Sequence, residues 1–490
     1  MKTNNMGVIE QSKFSFGNIK ILPILLAMLM VVPVVALMTT KNWPYAMLVA
    51  PVIVAGLFLM SNKFLGIYLL IIQIPFGAFR KIDIGSTSIN IAWVIAGVSV
   101  FALAVELATH EKSFSVLKGK IWWLLMPMFF VNALATVFSP YPDTAVSELI
   151  GWIAAYIFIA LIIVRIGEKG YFNTVPMWLV ASTSAGSLCA VLGVYFNIGA
   201  EYFTQDGRGV GGAPDPNNMC LMIDFIVPIV LYFFINARNT KTRLLFLALL
   251  LLNLIAIVST NSRSGTLVAG LMIVIMMMAN HGKITGKLIK LLIPIGLSVL
   301  MAVPFVLPKS LIERMMTLTA AHGDSSLSRR ASYIKVAMDA YFNAPVIGTG
   351  PFTFQNIYEK SREARRYLRG GIDAKITLQR QAHNTYLEIL VGSGTLGMIF
   401  FLGTIIVTFL NFSRARSKLF KNRYYLQADL MTAYQLSLIS LLIFFTFFSD
   451  PTHKYFLLII ALGELAMKYS QQMQREGERT TKVINNQMRV

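Results

Sequence analysis

Long apolar runs alternate with short polar connectors through most of the chain, and the runs have membrane-crossing length. We read fourteen as helices, at 21–39, 45–60, 65–79, 88–107, 121–139, 148–165, 176–197, 219–236, 244–261, 264–279, 291–307, 385–411, 428–448 and 455–468. At 1.5 Å per residue, about 17–25 residues cover a ~30 Å hydrocarbon core. The second, third and last runs are short, so 12–14 spans are expected. The ten-residue alternating segments of an outer-membrane barrel do not occur in the sequence. One polar stretch, residues 308–384, interrupts the pattern and ends in Ala382-His383-Asn384-Thr385-Tyr386, where hydrophobicity resumes. Inside it Leu327, Ala331, Ile334, Met338 and Tyr341 recur at helical spacing. That predicts a helix started by Asp324, Ser325 or Ser326 and stopped by Asn343-Ala344-Pro345. Arg330 flanks this stripe, whereas Arg329 points nearly opposite.

Composition agrees with the pattern: 56% of residues are hydrophobic and 13% charged, with a mean hydropathy of +0.64. A soluble domain of 490 residues is excluded. Charge adds orientation. With the N-terminus cytoplasmic, inward connections and tails hold 25 of the 43 Lys and Arg residues, short outward ones hold 6, and the long polar stretch holds the rest. This follows the positive-inside rule, from which long loops are exempt. The net charge of +20 is therefore a topology signal, and nucleic acid is not an expected partner.

The expected organisation is an all-α integral membrane protein with both termini cytoplasmic. Residues 1–20 form a tail, 21–307 an eleven-helix transmembrane region, 308–384 a long, partly helical outward loop, 385–468 the last spans and 469–490 a second tail. The first span lacks a small-residue cleavage site and is read as uncleaved. Cys189 and Cys220 match no metal spacing and are read as small core residues.

Candidate chemistry gathers at the outward ends of the spans. Residues 205–218, glycine-rich around Arg208, lead through Pro and Asn into a helix. Glycines admit a bulky anion, and helix-start N–H groups favour phosphate, although an ordinary turn with an N-cap fits equally. Ser259-Thr260-Asn261-Ser262-Arg263-Ser264-Gly265 must make a tight turn at the membrane surface. Its Arg263 either snorkels to lipid headgroups or clamps phosphate with its fork. Asp224 is costly within a span unless it is paired or faces a wet cavity.

Arg362, Arg365, Arg366 and Arg369 share one helical face, most simply a solvated one. Gly392-Ser393-Gly394-Thr395-Leu396-Gly397 matches a dinucleotide-binding pattern, but no strand precedes it and small residues serve close helix packing. Of five histidines, His383 stands where the long loop re-enters the membrane, and imidazole is the best-suited general base at neutral pH. No metal-ligand spacing accompanies it.

Together, Asn261 to Gly265, Arg329 to Tyr333 with Pro345-Val-Ile-Gly-Thr-Gly350, and His383 to Gly397 resemble the O-antigen ligase and O-antigen polymerase superfamily over about residues 200–410. The resemblance implies a polytopic, GT-C-like glycosyltransferase of the bacterial inner membrane. Such enzymes take a glycan from an undecaprenyl diphosphate carrier and transfer it on the periplasmic side with inversion, without metal or cofactor. It implies Arg208, Arg263 and a loop arginine, Arg329 or Arg330, as diphosphate binders and His383 as the catalytic residue; Asn261, Ser262, Asn384, Tyr386 and Asp224 are our candidates for supporting residues. The family usually has Trp where Tyr333 stands, which aligns its arginine with Arg329. Implied partners are the lipid-linked donor, a glycan, lipid or protein acceptor, and membrane lipids. The alternative is a transporter or flippase of lipid-linked oligosaccharides. A transporter would place charges near the bilayer midplane, whereas here they cluster at span ends.

Overall fold

The computed structural model describes residues 64–84, 87–109, 118–167, 171–280, 325–369 and 379–487, with Phe58, Asn62 and Gly282 besides. Contacts divide the chain into two units, Met1–Leu65 and Gly66–Val490, and the described membrane-length helices belong to the second. The runs at 21–39 and 291–307, most of 45–60, and His110, His281 and His322 lie outside the described residues.

Among the described residues, six helices are long and apolar enough to cross a membrane. They are Pro142–Ile166, Val175–Phe196, Pro216–Asn236, Thr240–Ser259, Thr385–Lys421 and Tyr425–Phe444. Shorter apolar helices cover Ala92–Ala108, Trp122–Val137 and Arg263–Ala279, and Lys454–Gln487 closes the chain. The protein is an all-α, multi-pass membrane protein; its described strands are two short ribbons. Pro216–Asn236 is the central helix, 83% enclosed over its most apolar window, against 39% for Thr240–Ser259. Outward apolar side chains such as Leu271, Val274, Ile399 and Ile406 are exposed, as a hydrocarbon surround requires.

Three elements differ from the sequence reading. The run at 65–79 is not one span: the Leu65–Ile72 helix stops and a 3₁₀ stretch, Ile74–Arg80, follows with a kink at Phe76. Pro75 explains the break, because it lacks an N–H and disfavours α geometry at the residue before it. A ribbon pairing Lys81–Ile84 with Thr87–Asn90 then delays the next helix to Ile91. At the other end, the last helix continues from the apolar run through the polar residues to Gln487.

The predicted loop helix exists, Ser325–Asn343, and ends before Ala344-Pro345 as expected. Its buried face is another one, however. Tyr333, Val336, Ala337 and Ala340 are buried, whereas Ala331 and Ile334 of the predicted stripe are exposed. The alanines let the helix approach its support closely, a choice that counting large apolar residues misses. Tyr333, Val336, Ala337 and Ala340 form a small core with Phe354, Tyr358, Ala364, Ala382 and Val391. Ala382 and Val391 flank the start of Thr385–Lys421, so this core is joined to a spanning helix.

The glycine pattern inside that helix turns out to be a break. Gly394 has φ 64 and ψ −164, which interrupts the helical ladder. The carbonyls of Val391 and Gly392 accept from the N–H groups of Thr349 and Gly350 at 2.9 Å each. Thr395 and Leu396 donate to the carbonyls of Pro345 and Val346 at 2.8 and 3.2 Å. The Pro345–Gly350 segment thus satisfies backbone groups that the break sets free. Ser139, just before the Pro142–Ile166 helix, donates from Oγ to the Thr349 carbonyl at 2.6 Å and holds the segment from the other side.

Candidate functional site

Arg208 is carried by a hairpin. Thr204–Gln205 pairs with Arg208–Gly209, and the two turn residues, Asp206 and Gly207, have φ of 51 and 70. Positive φ at both central positions is the hairpin geometry for which Asp-Gly is favoured. Arg208 Nε donates to the Thr260 carbonyl at 2.8 Å, and a terminal nitrogen reaches Asn217 Oδ1 at 3.4 Å. A Cβ at Gly209 would meet Ser259 Oγ, so glycine lets the hairpin lie on the 259–263 turn. Behind it, Asp215 caps Pro216–Asn236 by accepting from Asn217 and Asn218 N–H at 2.9 and 3.1 Å. Burial raises the Asp215 carboxyl above its ordinary range, opposed by those two bonds and by Arg208.

The tight turn at the next junction is present. Asn261 has φ 52, a left-handed conformation that Asn tolerates better than most residues, and Arg263 begins the Arg263–Ala279 helix. Gly265 is needed because a Cβ there would run into Cys220 Sγ. Asp224 lies in the same layer, fully buried, its Oδ2 3.3 Å from the Gly265 Cβ position.

On the opposite side stands the long polar segment. His383 is half-buried, with φ 47, and its ring stacks on Tyr333 at 5.8 Å and 27°. Backbone bonds on both flanks hold this strained residue. The Ala382 N–H donates to Glu388 Oε1 at 2.7 Å, and the Asn384 N–H to Ser449 Oγ at 3.0 Å. Such a conformation costs about 1–3 kcal/mol and persists where the surroundings enforce it. Burial first, then Arg330, Arg380 and Arg329, lower the imidazole from its ordinary range to about 4. His383 is therefore neutral at pH 7 and able to accept a proton.

These two sides face each other across a cavity of about 360 Å³ lined by Arg208, Asn217, Asn261, Ser262, Arg263, Ser264, Leu267, Arg329, Arg330, Tyr333, Arg380, His383 and Phe447. Every principal residue singled out from the sequence lines it. Both Arg329 and Arg330 do so, because they precede the buried Tyr333 by four and three residues. Arg330 lies 5.6 Å from the Phe447 ring centroid in a cation–π contact. Three expected supporting residues are elsewhere. Asn384 caps the broken helix through Leu387 N–H, Tyr386 donates to the Leu442 carbonyl, and Asp224 lies outside the lining.

Arg380, Asn217, Ser264, Leu267, Tyr333 and Phe447 escaped notice as lining residues. Arg380 stands three positions before His383 and was within reach of the sequence, whereas nothing local marks Phe447. His453, the other described histidine, is buried and accepts from Tyr455 N–H through Nδ1 at 3.3 Å, away from the cavity. Among the described residues no cluster of His, Cys, Asp and Glu is arranged to hold a metal.

Residues 246–402 match the family model described as O-antigen ligase. The match spans Arg263, Arg329, Arg330, Arg380 and His383 but not Arg208, whose membership in the site rests on the geometry alone. No curated protein matches the chain. Over these residues the chain is similar to the O-antigen ligase family, as the resemblance read from the sequence implies.

Proposed function

We propose that the protein is an inverting, metal-independent glycosyltransferase of the bacterial inner membrane. On this reading the long segment and the cavity are periplasmic, both termini are cytoplasmic, and the donor glycan arrives on undecaprenyl diphosphate. The single observation that carries the reading is one cavity lined by five arginines and a histidine, with no carboxylate among its lining residues. Guanidinium groups suit a diphosphate because each planar fork can bond two oxygens. The helix that starts at Arg263 brings its N-terminus, an end that favours an anion, to the lining residues Ser262, Arg263 and Ser264.

In the proposed reaction Arg208, Arg263 and Arg329 hold the diphosphate. His383 accepts the proton of an acceptor hydroxyl, whose oxygen attacks the anomeric carbon. The bond from that carbon to the diphosphate oxygen breaks, and its electron pair leaves with undecaprenyl diphosphate. Arginines already in place stabilise the charge that develops on the leaving oxygen. Energy comes from the activated donor, so no nucleotide is required. Polymerase, lipid-ligase and protein-glycosylating versions share this chemistry and differ in acceptor. Location of the charges at helix ends favours an enzyme over a flippase.

His383→Ala tests the reading. A positioned base contributes ~10²–10⁴-fold, so glycan transfer should fall by about that factor while the protein still inserts in the membrane and melts normally. Transfer at the wild-type rate would refute it.

A further inference from the structure

The long polar segment carries two large apolar residues that the rest of the molecule leaves uncovered: Phe342 is 69% exposed and Val346 58%. Their level in the membrane follows from the helix they rest on. Thr385–Lys421 runs for 37 residues, whereas a ~30 Å hydrocarbon core takes about 20. Its far end is marked by Arg414 and Arg416, both exposed. Counting about 20 residues back from them reaches the break at Gly394. The turns before Gly394 therefore stand clear of the hydrocarbon, and the break lies at its surface. Leu396 donates to the Val346 carbonyl at 3.2 Å, and the Tyr341 and Thr395 hydroxyls are hydrogen-bonded at 3.0 Å. Val346 and Phe342 are thus held at that surface, where an exposed apolar side chain meets acyl chains.

Cations lie beside the same boundary. Lys360 Nζ is 4.6 Å from the ring centroid of Tyr141, which immediately precedes the Pro142–Ile166 span. A tyrosine at the end of a span sits at headgroup level. Arg365 donates to the Lys360 carbonyl at 3.2 Å, which brings a second cation to the same place. Ala364 is buried in the small core and fixes the inner side of the Arg362–Arg369 helix, leaving Arg362 and Arg365 exposed. The neighbouring acids do not answer these charges. Glu363 pairs with Lys335 at 2.7 Å, Glu359 accepts from Gln379 at 3.2 Å, and Asp143 is exposed and makes no ion pair. Among the described residues Lys360, Arg362 and Arg365 have no carboxylate partner.

We infer that the long segment docks on the adjacent membrane leaflet, with Phe342 and Val346 entering the acyl boundary and Lys360, Arg362 and Arg365 binding the phosphate of an anionic phospholipid. The sequence alone reads this basic face as solvated; its place beside a span end and its lack of carboxylate partners make it a headgroup site. The wall that carries His383 is then held by lipid as well as by the break at Gly394. Nothing in the inference depends on the transferase reading.

Titration of the purified full-length protein with phosphatidylglycerol or phosphatidylcholine, followed by native mass spectrometry, tests the docking without measuring transfer. Each cation at an anionic membrane surface contributes about fivefold in affinity. The triple variant Lys360→Gln/Arg362→Gln/Arg365→Gln should therefore bind phosphatidylglycerol at least about tenfold more weakly, with phosphatidylcholine binding unchanged. All three side chains are exposed, so the variant should fold. Phe342→Ser removes an acyl contact rather than a charge and should weaken both lipids to the same degree. Amide exchange over residues 354–365 locates the effect: in wild type it should be slower in nanodiscs containing phosphatidylglycerol than in phosphatidylcholine alone, and in the triple variant equal in both. Equal phosphatidylglycerol affinity in wild type and the triple variant overturns the inference. So does charge-dependent binding of a soluble acidic glycan, oligogalacturonate, in place of phosphatidylglycerol, which would assign the surface to a glycan.

Discussion

The two walls of the cavity are built by different means. Arg208 and Arg263 sit on short turns fixed to enclosed helices: an Asp-Gly hairpin, an Asn in left-handed geometry, and two helix starts. Each turn takes its shape from backbone chemistry within a few residues of its arginine, and the two turns lie against each other through the bond from Arg208 to the Thr260 carbonyl. The opposite wall depends on contacts between residues far apart in the chain. Tyr333 of the loop helix backs His383, a core of nine buried residues ties that helix to residues 382 and 391, and the break at Gly394 receives the 345–350 segment. One wall is therefore built from turns whose shape is local, whereas the other needs its docking to be intact. On the proposed mechanism, donor binding belongs mainly to the first wall and proton transfer to the second.

That contrast is broken most directly at Gly394. A Cβ there would run into the Val346 carbonyl oxygen, on a residue whose φ of 64 already disfavours any side chain. Gly394→Ala should displace the loop wall and lower transfer by about 10²-fold, the scale associated with a 1 Å misplacement of reacting groups. Undecaprenyl diphosphate binding should fall far less, because two of its three proposed arginines lie on the other wall. Measuring both on the same preparation checks the division, and parallel losses would argue against it.

Acid inactivation should expose the loop wall next. His383 is held at about 4 in the free protein, below its ordinary range, so it remains a competent base well under pH 6.5. The acid limb of kcat/KM, which reports the free enzyme, should lie near 4 and fall about tenfold per pH unit beneath it. Bound diphosphate adds negative charge and raises the imidazole, so the limb of kcat should lie at higher pH than that of kcat/KM. A limb near 6.5 in both profiles would mean that neither burial nor the arginines lower the base.

The smallest effect concerns Tyr333. An aromatic contact is worth about 0.5–1.5 kcal/mol, so Tyr333→Ala should lower kcat by up to about tenfold with KM for the donor nearly unchanged. Tyr333→Trp, which keeps an aromatic ring against His383, should retain most activity. A selective rise in donor KM would instead assign Tyr333 to lipid binding.

Legibility in the sequence divides along the same line. Apolar runs marked most of the described helices, and the Arg208 and Arg263 turns were readable because their Gly, Asn and Pro signals are local. Ser325–Asn343 was placed correctly along the chain but with the wrong face inward. Its buried side uses alanines and Tyr333, while Ile334 faces out, and periodicity alone cannot choose between two apolar stripes. Gly394 was read as a packing residue because its break is stabilised by hydrogen-bond partners some fifty positions earlier. Phe447 reaches the cavity only through the packing of the last helices, which no short window of residues reveals.

Binding of undecaprenyl diphosphate to purified Arg208→Ala and His383→Ala proteins, measured beside transfer by each, tests the central claim most directly. The account predicts at least about tenfold weaker binding for Arg208→Ala. It predicts near wild-type binding for His383→Ala, with transfer reduced by ~10²-fold or more. Weak binding by His383→Ala together with wild-type binding by Arg208→Ala would contradict the account, because the histidine would then hold the phosphate and the hairpin would have no part in the site.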